Sequence, residues 1–164
     1  MTVRLQKAQP PPSDNAIREV EEQLGLELPP SYVAALQFCN GARPEANRYH
    51  LHDSDYSIAE FLDIVHVGQV KRLQDEYNPS SRIPFAEDSF GNAFCIGTDM
   101  GEHDQIFFMD HEIPGDNAFR LIAPSFDAFF EGLQPYDPTL DESLQPEGDV
   151  WVDPDFLKSL QPKS

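Results

Sequence analysis

Cysteine, positive charge and long apolar runs are what this sequence has least of. Only two cysteines, Cys39 and Cys95, occur in 164 residues. They are too far apart in sequence for a redox or zinc-binding pair, and each lies in an apolar stretch. Two buried free thiols are expected, because an unpaired cysteine behaves as a small hydrophobe. Apolar surroundings raise a thiol's pKa and close off access, which argues against a nucleophile at either position. No apolar run approaches the ~20 residues that span a bilayer, and none follows the positive charges of the first residues as a secretory leader requires. A soluble cytoplasmic protein is expected. Lys and Arg number 11 against 29 Asp and Glu, a formal net charge of −18 that protonating all five histidines would not reverse. Nucleic acid and anionic membrane are poor partners for such a surface. A phosphate-cradling glycine loop is also missing.

What is present is the material of one folded domain. A chain of 164 residues with 40% hydrophobic residues and 12 Phe is too apolar and too aromatic for disorder despite its 15 Pro. At this length folding hides roughly 70% of the surface of the extended chain. The negative charge is uneven: from Pro84 onward there are 17 acidic and 3 basic residues, so the second half should present the acidic face.

Residues 1–13 read as a flexible, Pro-rich lead-in ending in Pro10, Pro11 and Pro12, where successive prolines favour extended, unpaired chain. Ser13 or Asp14 can then cap a helix with Ile17, Val20 and Leu24 at helical spacing and Gly25 as its stop. Pro29 and Pro30 start a second helix over residues 32–39 whose wide apolar surface predicts burial. Residues 48–52 and 56–67 carry the alternation and β-branched content of strands, with part of 57–63 open to a helical reading. A third helix is expected over residues 67–77, with Val70 and Leu73 on one side. The period then changes to that of an antiparallel meander over residues 82–86, 93–98, 105–110 and 118–122. Ser125 caps a closing helix with Phe126, Phe129, Phe130 and Leu133 on its apolar face. The acidic, Pro-punctuated stretch 134–164 retains Tyr136, Val150, Trp151, Phe156 and Leu157, so part of it is expected to dock, through Trp151 and a short helix over 154–160. The fold class is α+β: an antiparallel meander packed against N-terminal helices and a closing C-terminal helix, with the domain at 14–133.

The chain carries an ordered set of local motifs. It runs through Ile17 and Glu21, Leu28-Pro29 with Tyr32, and Phe38 with Asn40-Gly41. It resumes at Ile83-Pro84-Phe85-Ala86 with Asp88, passes Gly91-Asn92 and Phe94-Cys95-Ile96, and closes with Ile106-Phe107-Phe108, His111-Glu112 and Ser125-Phe126. In that order they resemble the SUKH superfamily, the Smi/Knr-type proteins, over residues 14–133. The resemblance implies an α+β fold whose bacterial members are typically immunity proteins that neutralise polymorphic toxins, many of them nucleases. Fungal relatives act in cell-wall assembly and signalling. The acidic C-terminal stretch and the region around residues 43–57 fall outside the resemblance and receive no transferred role.

Most motif residues have a structural reading that suffices. Gly41 and Gly91 permit backbone angles that a side chain forbids, and Pro84 and Phe85 end a strand and fill core. Tyr32, Asn40 and Asn92 are open between tying loops together and facing a ligand, since a buried amide must find partners. Asp99, Glu102, His103 and Asp104, followed by Asp110, His111 and Glu112, form the densest polar cluster. Gly101 falls at the wrong position for a calcium loop, and His111-Glu112 lacks the second histidine of a zincin. His50 and His52 would share one face of a strand with Asp53 on the other, giving two converging ligands only. No metal and no cofactor are expected.

The function expected is binding rather than catalysis: an immunity protein whose carboxylates, Asp88, Asp99, Glu102, Asp104, Asp110 and Glu112, meet a basic protein toxin. Toxins that cut nucleic acid must attract phosphate, and an acidic inhibitor competes for the same cationic surface. A regulatory scaffold of the cell-wall assembly type and a metal-assisted hydrolase are the alternatives.

Overall fold

Ser13 opens the first helix: its Oγ accepts the amide hydrogen of Ala16 at 3.1 Å, satisfying one of the N–H groups that a helix start leaves orphaned. In the computed structural model, which describes residues 4–136 and Asp155, α1 (Asp14–Leu24) runs to Gly25, whose φ of 64° makes the left-handed turn that ends it. Ile17 and Val20 point into the core. Helix α2 (Pro30–Cys39) has proline at its first position, where the missing donor costs nothing, and buries Tyr32, Ala35, Leu36 and Cys39. Its burial is one-sided, because Phe38 stays half exposed against Phe130.

Helix α3 (Ile64–Tyr77) begins earlier than its apolar spacing predicts. The β-branched residues Ile64, Val65 and Val67 favour a strand, but Asp63 accepts the His66 amide at 3.0 Å as an N-cap, and the cap prevails. The inner face also differs from expectation. Ile64, Val67, Gly68, Lys71 and Gln74 are buried, while Leu73 is exposed. Lys71 buries its stem and turns its ammonium to the Asp75 carboxylate and the Ser80 carbonyl.

The expected meander is present as a five-stranded antiparallel sheet. Its order is β5 (Glu60–Phe61), β6 (Ile83–Glu87), β7 (Ala93–Ile96), β8 (Ile106–Met109) and β9 (Phe119–Ala123). Pro84 and Phe85 lie inside β6 and do not end it. Proline is tolerated there because β5 stops at Phe61, opposite Ala86, and a bulge separates Pro84 from Ala86 on the β7 side. A second sheet has the order β10 (Leu133–Gln134), β3 (Arg48–Leu51) and β4 (Ser54–Ser57). Leu133 therefore belongs to a strand, paired with Tyr49, rather than to the closing helix α4 (Phe126–Glu131). The cap of α4 is as expected, with Ser125 Oγ accepting the Ala128 amide at 3.1 Å.

The lead-in is tied to the domain and not unpaired. In it, β1 (Leu5–Gln6) pairs with β2 (Arg43–Pro44), and the Gln9 amide donates to the Asn40 carbonyl at 2.8 Å. Asn40 is the knot: its Nδ2 donates to the Pro10 carbonyl at 2.9 Å and its Oδ1 accepts the Ile64 amide at 2.8 Å. A buried amide thus joins the lead-in, the end of α2 and the start of α3. Gly41 follows at φ 67°, where a Cβ would meet Gln9 Nε2 at 3.1 Å. Leu28 is held by Glu21, whose Oε1 accepts its amide at 3.0 Å.

Two cores flank the five-stranded sheet. The larger gathers α1, α2, α4 and one sheet face around an aromatic cluster in which Phe85 packs on Phe126 at 4.7 Å and Phe129 at 5.5 Å between ring centres. Tyr32 stacks on Phe126, fully buried, with its hydroxyl unbonded among the described residues. The smaller core holds Ala93, Cys95, Phe107, Met109 and Ala118 on the other face. Helix α3 and the Asn78 that caps its end cover it with polar side chains: Cys95 Sγ donates to Gln74 Oε1 at 3.4 Å, and Asn78 Oδ1 accepts the Gly115 amide at 2.6 Å. The expected docking of Trp151 and, apart from Asp155, the helix over 154–160 lie outside the described residues.

Candidate protein-binding face

In an antiparallel meander alternate turns lie at opposite ends, and this divides the six candidate carboxylates into two groups. The β7–β8 loop carries Asp99, Glu102 and Asp104. The β6–β7 turn and the β8–β9 loop carry Asp88, Asp110 and Glu112 at the other end. The six therefore do not form one patch.

The first group is engaged within the chain. Arg82 grips Glu102 with two hydrogen bonds, from Nε at 3.1 Å and Nη2 at 2.7 Å, while its guanidinium lies over Phe107 and Phe119. Asp104, at φ 66°, accepts Ser31 Oγ at 2.6 Å and so fastens the loop to α2. Asp99 accepts the Ser81 hydroxyl. These acids hold the fold.

The second group shapes a cleft. Asp88 Oδ1 accepts the amides of Phe90 and Asn92, both at 2.8 Å, and Oδ2 accepts Asn92 Nδ2 at 2.9 Å, so the side chain closes the turn on itself. Asn92 Oδ1 then accepts the His111 amide at 3.1 Å and joins the turn to the next loop. Asp110 Oδ1 caps that loop through the Glu112 amide at 3.0 Å. Gly91, at φ 90°, sits against the His111 ring. Asn40 and Asn92 thus both tie loops, and neither waits on a ligand for its amide.

Between this end and β3–β4 opens a cleft of about 480 Å³, lined by Asp88, Phe90, Asn92, Asp110, Ile113 and Arg120 among others. Phe90 is 75% and Ile113 40% exposed. Arg120 Nη1 donates to Ser54 Oγ at 3.1 Å and to Tyr56 Oη at 3.3 Å. Arg48 is paired with Asp55 at 3.2 Å and lies under the Tyr136 ring. The cations in the wall are therefore occupied, while two apolar side chains, Phe90 and Ile113, are left exposed. Sequence reasoning missed Phe90, Ile113 and the two arginines. A phenylalanine in the middle of a tight turn was the available signal.

The histidines are arranged differently from expectation. His50 lies on β3, 3.2 Å from Asp55, but His52 sits in the following turn at φ 53°, so the two do not share a strand face. Among the described residues no three His, Cys, Asp or Glu side chains converge as ligands of a metal ion. His66 Nδ1 lies 2.6 Å from Asp63 Oδ2. Burial alone would raise the Asp63 carboxyl, but the hydrogen bonds with His66 outweigh it and hold its pKa down. Both cysteines are free and buried, and burial pushes each thiol up to about 12.

The description of the SMI1 / KNR4 family (SUKH-1) fits the chain over residues 11–132. The chain belongs to that family. No curated protein matches it. The SUKH-1 match spans α1 through α4 and ends where β10 begins, so it takes in both cores and both ends of the five-stranded sheet. Within this SUKH-1 domain the motif residues Leu28, Pro29, Tyr32 and Phe85 are buried in or beside the core. Among the described residues no helix is long and apolar enough to cross a membrane.

Proposed function

We propose that this SUKH-1 domain is a non-catalytic, cytoplasmic immunity protein that binds and neutralises a cognate toxin with a basic surface. One observation carries the reading: at one end of the sheet two apolar side chains, Phe90 and Ile113, stand exposed among Asp88, Asp110 and Glu112. That is the composition of an interface in which charge speeds encounter and a few buried apolar anchors set the lifetime. The net charge of −18 supplies the long-range attraction. Membership of the SUKH-1 family supports the protein-binding part of this reading.

The test is co-expression with a toxin domain encoded beside this gene. Growth should be restored and a one-to-one complex recovered, with an association rate that falls as salt rises from low to physiological strength. Unrelieved toxicity rejects the immunity role. An association rate indifferent to salt removes the electrostatic part.

A further inference from the structure

On the outer side of α3, Leu73 and Tyr77 stand one turn apart and are 61% and 74% exposed. Between them and the sheet runs a groove of about 450 Å³ floored by Val70, Ala93 and Met109. This chain leaves a leucine and a tyrosine in water beside an apolar floor, the kind of surface that marks a contact. Glu87 forms one wall of the groove. Its half-buried carboxylate has no hydrogen bond and no ion pair among the described residues, and His66, the basic side chain whose field reaches it, is bonded to Asp63. Burial, with Glu60 and Asp88 close by, holds that carboxyl above the usual range against a smaller opposite pull from His66.

We propose that this groove receives a segment of a partner protein that carries apolar side chains at helical spacing next to a lysine or arginine. The apolar side chains fill the floor beside Leu73 and Tyr77, and the cation meets Glu87. A second copy of this chain fits poorly, because two bodies of net charge −18 repel. The proposal rests on the protein-binding reading above and extends its contact surface around the β6–β7 turn. Gly91 and His111 line the groove, and Asn92, bonded to His111, lines the cleft on the other side.

The experiment titrates a labelled synthetic amphipathic helix, with two leucines one turn apart beside lysines, into the full chain at physiological salt. Binding is expected, and it should be lost when glutamates replace the lysines or alanines the leucines. The double variant Leu73→Ser, Tyr77→Ser, at exposed positions that leave the fold intact by circular dichroism, should weaken it about tenfold. Glu87→Gln should weaken the lysine peptide while leaving a glutamine-substituted peptide unaffected. The proposal is overturned by absence of binding, or by equal binding to the double variant, which would mean charge attraction without the groove. It is overturned too by self-association that the double variant abolishes, or by a benzophenone at position 77 crosslinking to the chain's own residues beyond 136. Peptide binding without toxin rescue sinks the immunity reading alone, and rescue that survives the double variant without peptide binding sinks the groove alone.

Discussion

Where β7 turns into β8, acidic side chains reach to distant parts of the chain: Glu102 to Arg82, Asp104 to Ser31 and Asp99 to Ser81. Where β6 turns into β7, Asp88 bonds only to amides of its own turn, and Phe90 is left outside. The same residue types, on one sheet and in similar number, fasten elements together at one end and stiffen a free edge at the other. Charge count alone does not separate the two ends; what differs is whether a carboxylate has a partner elsewhere in the fold.

The sharpest way to break this comparison is Arg82→Ala. It strands Glu102, strips a guanidinium from Phe107 and Phe119, and should cost about 3 kcal/mol by chemical denaturation. A cost under ~0.5 kcal/mol would show that the β7–β8 end is not fastened as described. Asp88→Ala removes three hydrogen bonds from one turn and should cost about 1–2 kcal/mol. Amide exchange should quicken around residues 88–92 before the rest of the sheet. Ser31→Ala frees Asp104 from α2 and should cost about 1 kcal/mol, with association of the proposed toxin unchanged in surface plasmon resonance. Phe90→Ser should leave thermal stability within ~0.5 kcal/mol yet shorten the lifetime of the complex about tenfold. If Ser31→Ala weakens the complex and Phe90→Ser does not, the two ends have been assigned the wrong way round.

The smallest effect concerns pH. Because the folded-state pKa of Glu87 is raised by burial and by Glu60 and Asp88, its contribution to stability is fully present below the ordinary glutamate range and is lost as pH rises through the raised value. Glu87→Gln should therefore be at least as stable as the parent at neutral pH, and its relative advantage should shrink on acidification. Paired denaturation curves across the acidic range check the sign. An advantage that grows as pH falls would contradict the half-buried, unpaired state of that carboxylate.

Local rules made much of this architecture legible. Ser13, Gly25, Pro30 and Ser125 act as caps and stops where their chemistry predicts, and the meander strands follow from period-two apolar pattern punctuated by glycine and asparagine. What local rules missed was set by contacts distant in sequence. The lead-in pairs with Arg43 and Pro44, Leu133 with Tyr49, and the start of α3 with Asn40. The inner face of α3 was misread because its buried stripe is partly polar, Lys71 and Gln74 inside and Leu73 outside. Of the six candidate contact residues, sequence could supply type and segment. Only the return of each strand beside its neighbour divides them between two ends.

The two buried thiols fall in different cores, Cys39 in the aromatic one and Cys95 beneath the polar seam of α3. A thiol must be both deprotonated and reachable to react, so each stays silent until its own layer lifts. Cys95 is uncovered when α3 rises from the sheet, and Cys39 when α2 parts from its neighbours. Timed alkylation of the native chain, resolved by peptide mass, would therefore clock the opening of each layer separately and show which loosens first.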